Sequence, residues 1–271
     1  MIAATNSLWP KRIAAGWRDV KGGFVAWRIW GTMGWQDIRQ RYRRSILGPF
    51  WITLSMAMMI AAVAVTFGTL FGADIASYLP FLTLGLLIWQ FMSTSITDGC
   101  QAFTHAEVYI KQVELPLTTY VFRFVWRNLL LFFHNAAVYL LLALILGLWP
   151  SPMALLAIPG LLIVILNSLW MGLLLGCLST RFRDVPMIVT NVMQFFFFLS
   201  PVMWRPEQLA GRHAVVMWNP FYHLIELFRA PLLGHEPELA SWLVGLGFLV
   251  FGGAFTFVFF ARFRNRIPYW L

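Results

Sequence analysis

Long apolar stretches alternate with short polar joints along this chain, at residues 48–71, 78–98, 120–148, 153–178, 186–203 and 239–260. An α-helix rises about 1.5 Å per residue and the hydrocarbon core of a bilayer is roughly 30 Å thick, so each stretch is long enough, or nearly so, to cross it. The pattern predicts an all-α membrane protein with six transmembrane helices, and an even number of crossings returns both ends to one face. The expected organisation is a single membrane domain over 1–271: an amphipathic segment 1–47, a six-helix body 48–262 and a tail 263–271.

Ahead of the first stretch the pattern changes. Trp17, Val20, Phe24 and Trp27 recur at helical spacing with Arg18, Lys21 and Arg28 on other faces, and Trp35, Ile38 and Tyr42 repeat the spacing beside further arginines. Aromatic residues mixed with basic ones fit a helix lying in the headgroup layer, with Gly22-Gly23 and Gly31 as the expected breaks. A solvated basic helix that merely anchors the first span fits the same residues. Leu47-Gly48-Pro49 then turns the chain, because Pro suits a first helical turn and Gly permits the bend before it.

Two polar segments interrupt the spans. Loop 99–119 contains a short helical stretch, 105–113, that ends before Pro116 and carries Glu107, Lys111 and Glu114. It reads either as a docking element for a soluble partner or as a solvated connector. The stretch 204–238 has an apolar part broken by Asn219-Pro220 and Pro231, with Glu226 and Arg229 three residues apart. A full crossing there would carry the basic end of the chain to the wrong side, so two short helices that dip in and return are expected. Broken backbone at that depth is tolerated only inside protein or a wet cavity. Glu226 and Arg229 are expected to pair on one helical face. Arg123 and Arg127, on one face of the third span, have stems long enough to reach the interface. His134-Asn135, deeper in that span, are expected to hydrogen-bond between helices.

Composition sharpens this picture through charge placement. The chain of 271 residues is 60% hydrophobic and 11% charged with a formal charge of +9, too apolar for a soluble domain of its length. Of its 20 Lys and Arg, all but Arg205, Arg212 and Arg229 fall on one face of the six-span topology. Short basic loops stay cytoplasmic, so both termini are expected inside, and this distribution outweighs nucleic-acid binding as the origin of the charge. Residues 1–44 are dotted with charge and do not read as a secretory signal.

Catalytic chemistry is sparse. The chain has no G-x-x-x-x-G-K-[ST] phosphate loop, and its only lysines are Lys11, Lys21 and Lys111. Cys100 and Cys177 are too isolated for a disulfide framework, and no Cys/His cluster has metal-ligand spacing. His223 and Glu226 form H-x-x-E, but the second histidine of a zinc hydrolase is missing. No acidic pair lies deep in the spans, as ion coupling would need. Aromatics abound instead, with 25 Phe, 14 Trp and 7 Tyr. Phe50, Trp51, Trp89, Phe91 and the run from Phe195 to Phe198 lie along spans or at their mouths, where ring faces can stack on sugars.

Together these segments resemble a known family. The sequence Asp37-Ile38-Arg39-Gln40-Arg41-Tyr42-Arg43-Arg44-Ser45-Ile46-Leu47-Gly48-Pro49-Phe50-Trp51 is followed by Ile110-Lys111-Gln112-Val113-Glu114-Leu115-Pro116-Leu117 and Arg181-Phe182-Arg183-Asp184-Val185. Later come Ser200-Pro201-Val202-Met203-Trp204 and Asn219-Pro220-Phe221-Tyr222-His223. In this order they resemble the permease subunit of the ABC-2 type polysaccharide exporters, which move lipid-linked O-antigen, capsule or teichoic acid.

The resemblance implies a homodimeric pore served by two separate ABC ATPase subunits, which would bind ATP and Mg; the permease itself would need no cofactor. It implies a gate helix over about 35–47, with Arg39, Arg41, Tyr42, Arg43 and Arg44 receiving a lipid pyrophosphate and Leu47 and Gly48 forming the connection. It implies a coupling helix within 101–117, with His105, Glu107, Tyr109, Lys111 and Glu114 facing the ATPase, and re-entrant helices within 204–233 held by the Glu226–Arg229 pair. Phe50, Trp51, Trp89, Phe91, Phe195 and Phe198 would line the glycan path. The expected protein is a multi-pass permease of the bacterial inner membrane, exporting undecaprenyl-linked O-antigen of lipopolysaccharide in the first place. The alternatives are a capsular polysaccharide, a teichoic acid, or a small lipid or drug. An intramembrane glycosyltransferase is the competing reading from another class.

Overall fold

A computed structural model describes residues 8–43, 48, 50–71, 74–206 and 216–271, and the described residues are helical with no strand. In chain order the helices are α1 (Leu8–Val25), α2 (Trp27–Tyr42), α3 (Phe50–Phe71), α4 (Ile75–Cys100), α5 (Glu107–Gln112), α6 (Thr118–Leu146), α7 (Ala157–Arg181), α8 (Val185–Leu199), α9 (Pro220–Leu232), α10 (Leu239–Phe263) and α11 (Ile267–Trp270). Among the described residues, five helical stretches are long and apolar enough to cross a membrane: Phe50–Gly68, Ile75–Cys100, Thr118–Leu146, Pro152–Arg181 and Leu239–Trp270.

The sixth expected span differs. The apolar run 186–203 continues past Pro201, but the helix ends at Leu199 and Ser200 is extended, with ψ 141°. Proline disfavours helical backbone in the residue before it, so Pro201 stops α8 at 15 residues, about 22 Å of rise. The chain nevertheless continues in the same direction. Arg205 donates to the Ser77 carbonyl at 3.1 Å, at the start of α4, so 185–205 runs from one end of the bundle to the other.

α4 is the central post, buried over most of its length and packed against α3, α6, α7, α8 and α9. It crosses α7 where Gly99 meets Gly172, a contact that small residues permit in the absence of a hydrophobic drive between helices in lipid. Polar ties between helices differ from the expected ones. His134 is exposed, and the buried carbonyl oxygen of Asn135 has no partner among the described residues. Asn167 instead donates to the Gly245 carbonyl at 3.2 Å and accepts from the Trp170 indole at 2.9 Å, joining α7 to α10.

The amphipathic segment is held against the bundle. α1 packs on α10 through Gly16 against Ala261 and Trp17 edge-on to Phe257, and on the start of α6 through Gly22 and Gly23 against Pro116 and Thr118. The helix break therefore falls at Ala26 and not at the expected glycines; at Gly22 and Gly23 the missing side chains admit a neighbour, while Gly31 lies inside α2 with nothing packed on it. α2 packs along α6, with Trp30 stacked on Phe122. α1, α2, α5 and α11 share one end of the bundle, the end rich in Lys and Arg.

Candidate functional site

Three polar constellations lie along the bundle, two at the basic end and one toward the other. The first joins α2, α6 and α4. Asp37 accepts from Arg123 Nε at 2.8 Å and Nη2 at 2.5 Å, a two-pronged pair that fixes both groups in one plane. Arg127, one turn along, lies 3.5 Å from Asp37 and donates to Asp98 at 2.6 Å, while Asn128 donates to the same Asp98 oxygen at 2.9 Å. The two arginines thus turn toward carboxylates on neighbouring helices instead of reaching for the interface. Asp98 lies two residues before the end of α4, from which the chain enters the loop to α5.

A second knot lies close by. The Asp19 carboxylate, on α1, is fully buried and accepts from the backbone N–H and the hydroxyl of Thr118, both at 3.0 Å. Thr118 is the first residue of α6, so a distant side chain supplies the cap that Leu117, at the N-cap position, cannot. Arg264, just beyond α10, completes the knot at 2.7 Å from Asp19. Asp19 and Asp37 are the only acids in residues 1–48, and both bind another helix. Their isolation among nine basic residues was a signal available in the sequence, and it went unread.

The coupling expectation meets a well-formed element. Thr104–Ala106 form a 3₁₀ turn that leads into α5, and Val113 is already extended, close to the expected 105–113. Phe103 and Ala106 are buried, Phe103 against Gly176 of α7, and they pin the loop to the bundle. His105, Tyr109, Lys111 and Glu114 are exposed and Glu107 half-buried, with Lys111 donating to Glu107 at 2.7 Å. Val108 and Val113 add exposed apolar surface. In α2, Arg39, Arg41 and Arg43 are exposed and Tyr42 half-buried; Gly48 has φ +55°, the left-handed conformation expected of that turn. Arg44 and Leu47 lie outside the described residues.

The third constellation closes the opposite half. Glu226 and Arg229 pair as expected, through both Nε and Nη2 of the guanidinium. Arg229 is fully buried; its Nη1 donates to the Pro201 carbonyl at 2.7 Å and its guanidinium lies 3.9 Å from the Phe81 ring centre. Around it Tyr78 donates to the Met203 carbonyl at 2.6 Å, and Asn219 donates to Ser200 at 2.8 Å while capping α9 through the Phe221 N–H. Gly85 makes this packing possible, since a Cβ there would lie 2.8 Å from the Val202 carbonyl oxygen. α9 thus starts beside Ser200 and Trp89, midway along α4. It ends where Tyr139 donates to the Leu232 carbonyl at 3.0 Å, near the far end of α6. The first limb of the expected hairpin falls largely in 207–215, outside the described residues. The H-x-x-E pair is divided: His223 bonds to the Met217 carbonyl and to Ser241, and Glu226 is taken by Arg229.

The aromatic set separates into two groups. Trp89 and Phe91 are buried inside the chain, Trp89 against Phe197 and Phe221 and Phe91 against Phe132. Phe50 and Trp51 on α3, and Phe195 and Phe198 on α8, are exposed.

A family model described as ABC-2 type transporter matches residues 29–233. The O-antigen export system permease protein RfbA of Myxococcus xanthus is 26% identical over 214 residues, 78% of this chain and 82% of that protein. A protein of the same description from Klebsiella pneumoniae is 22% identical over 223 residues, covering 80% and 86%. The polysialic acid transport protein KpsM of Escherichia coli is 24% identical over 241 residues, covering 85% and 90%.

Proposed function

The chain belongs to the ABC-2 type transporter family, a family of membrane transport subunits without a catalytic site of their own, and from that membership we propose that it is the permease of a bacterial polysaccharide exporter. Its cargo in this reading is an undecaprenyl-linked glycan, O-antigen in the first place, carried across the inner membrane by a homodimer. The partner ABC ATPase that the family implies binds the ATP and Mg. The observation that carries the reading is likeness over 78% and 80% of the chain to permeases named for O-antigen export. The relative named for polysialic acid transport favours a capsular polysaccharide as the second reading.

The geometry supports a mechanism. Five long helices, with α8 and its extension to Arg205 as the sixth passage, leave both termini on the basic, cytoplasmic side. α9, beginning at mid-bundle and returning to the outer end, acts as a re-entrant closure. Arg39 on α2 and Arg43 at its C-terminal cap, four residues apart and both exposed, attract the lipid pyrophosphate, and the exposed rings of α3 and α8 offer the glycan a stacking surface. α5 lies in the chain between α4 and α6, so a push on it bears on both; α6 is joined to the amphipathic segment by Asp37 and Asp19 and to α4 through Arg127 and Asp98.

Co-reconstitution with the cognate ATPase into vesicles loaded with lipid-linked polymer tests the reading. ATP-dependent appearance of polymer on the far leaflet is expected. Transport restricted to short lipids or drugs, with polymer left behind, overturns it.

A further inference from the structure

The basic end carries a group of exposed apolar side chains around α5 and α11. The last helix, α11, is only four residues long, yet it is firmly set. Ile267 is fully buried, Trp270 lies under the Arg181 guanidinium at 5.7 Å and beside Phe263 at 5.9 Å, and the helix packs on both α7 and α5. This anchoring leaves Tyr269 88% exposed. Phe182, the first residue after α7, is 57% exposed, and the Arg181–Trp270 contact sets that end of α7 beside α11. On α5, in contact with α11, Val108 is 62% exposed and Tyr109 lies on the surface.

These groups are interleaved with charge. Phe182 stands between Arg181 and Arg183, Tyr269 follows exposed Asn265 and Arg266, and α5 sits in a loop flanked by His105 and Glu114. Apolar and aromatic residues gathered at the water-facing end of a bundle, rimmed by charge, have the composition of a protein–protein contact. α11 also lies beyond residue 233, where the family match ends.

We propose that α11 and the end of α7 extend the α5 surface into one composite dock for the ABC ATPase subunit, with Tyr269 and Phe182 as added anchors. Direct packing of α11 on α5 makes the two surfaces continuous, and a soluble subunit that seats on α5 meets α11 next to it. Arg181 has a positioning role: its guanidinium holds Trp270, and through it the helix that presents Tyr269. The proposal rests on the reading of the chain as an ATP-driven permease.

Binding of purified cognate ATPase to the permease in nanodiscs tests it, with Tyr109→Glu on α5 as the reference variant. Tyr269→Glu and Phe182→Glu alter exposed side chains and should leave the permease monodisperse. Each is expected to weaken ATPase binding about tenfold, as loss of an aromatic anchor does, with Tyr269→Phe close to wild type. Wild-type affinity in both Glu variants while Tyr109→Glu loses binding overturns the composite dock and leaves the transport reading standing; insertion of Tyr269 into headgroups would give this result. Unchanged affinity in all three overturns both the dock and the coupling role of α5.

Discussion

Two charge clusters, the Asp37 set at the basic end and the Arg229 set in the other half, are held in opposite ways. At the basic end, Asp37, Arg123, Arg127 and Asp98 are half-buried side chains that bind one another across three helices. In the other half, Arg229 is wholly buried, paired with a carboxylate on its own helix, and aimed at the backbone of the segment after α8. Pairs between separate helices that retain access to water can part and re-form at modest cost. A buried guanidinium satisfied by a carboxylate and a backbone carbonyl cannot let go without leaving charge unpaired. The Asp37 cluster is thus built as a linkage and the Arg229 cluster as a fastening, and the buried Asp19 knot adds a fastening at the basic end.

The largest effect that tests this contrast is expected at the fastening. Arg229→Met leaves Glu226 without its partner and frees the Pro201 carbonyl, and should cost about 3–5 kcal/mol. Thermal unfolding in detergent should show a lower midpoint or a loss of recoverable protein; an unchanged midpoint would dissolve the contrast. Asp19→Asn comes next. It keeps the shape but removes the charge facing Arg264 and weakens the cap on α6, a loss of about 1–3 kcal/mol by the same assay.

A smaller stability effect, about 1–2 kcal/mol, is expected for Asp37→Asn, which keeps the shape and one acceptor oxygen for the arginines while losing the charge. Its transport, measured in proteoliposomes, should fall far more than its stability, and a proportionate fall in both would mean that Asp37 only holds the fold. The smallest change is expected for Lys111→Ala, which breaks an exposed pair one helical turn apart and should shift stability by about 0.5 kcal/mol or less. A clear drop in ATPase affinity in that same variant would sharpen the division between residues that hold and residues that couple.

Much of the framework was legible from local pattern. Expected spans 78–98 and 239–260 became helices Ile75–Cys100 and Leu239–Phe263, and the expected 105–113 became a 3₁₀ turn followed by Glu107–Gln112. The Glu226–Arg229 pair was readable because its partners lie one turn apart on one helix. The clamp of Arg123 on Asp37 was not, since 86 positions separate the two, and Asp19 and Arg264 are 245 apart. The aromatic residues show the same boundary. Phe195 and Phe198 could be told from Trp89 and Phe91 only once α8 had docked on α4 and chosen which of its faces to bury.

What the chain itself determined is the set of long apolar helices, their ends at Pro and Gly, and the lopsided charge. Lipid offers backbone no hydrogen-bond partner, so each crossing segment must satisfy its own amides, and that requirement is written locally. Only the tertiary structure decided which carboxylate meets which arginine, which rings are sealed inside and which remain on the surface. Those outcomes depend on helices brought together from distant parts of the chain, where close approach at contacts such as Gly99–Gly172 and Gly85–Val202 sets the distances across which charges pair.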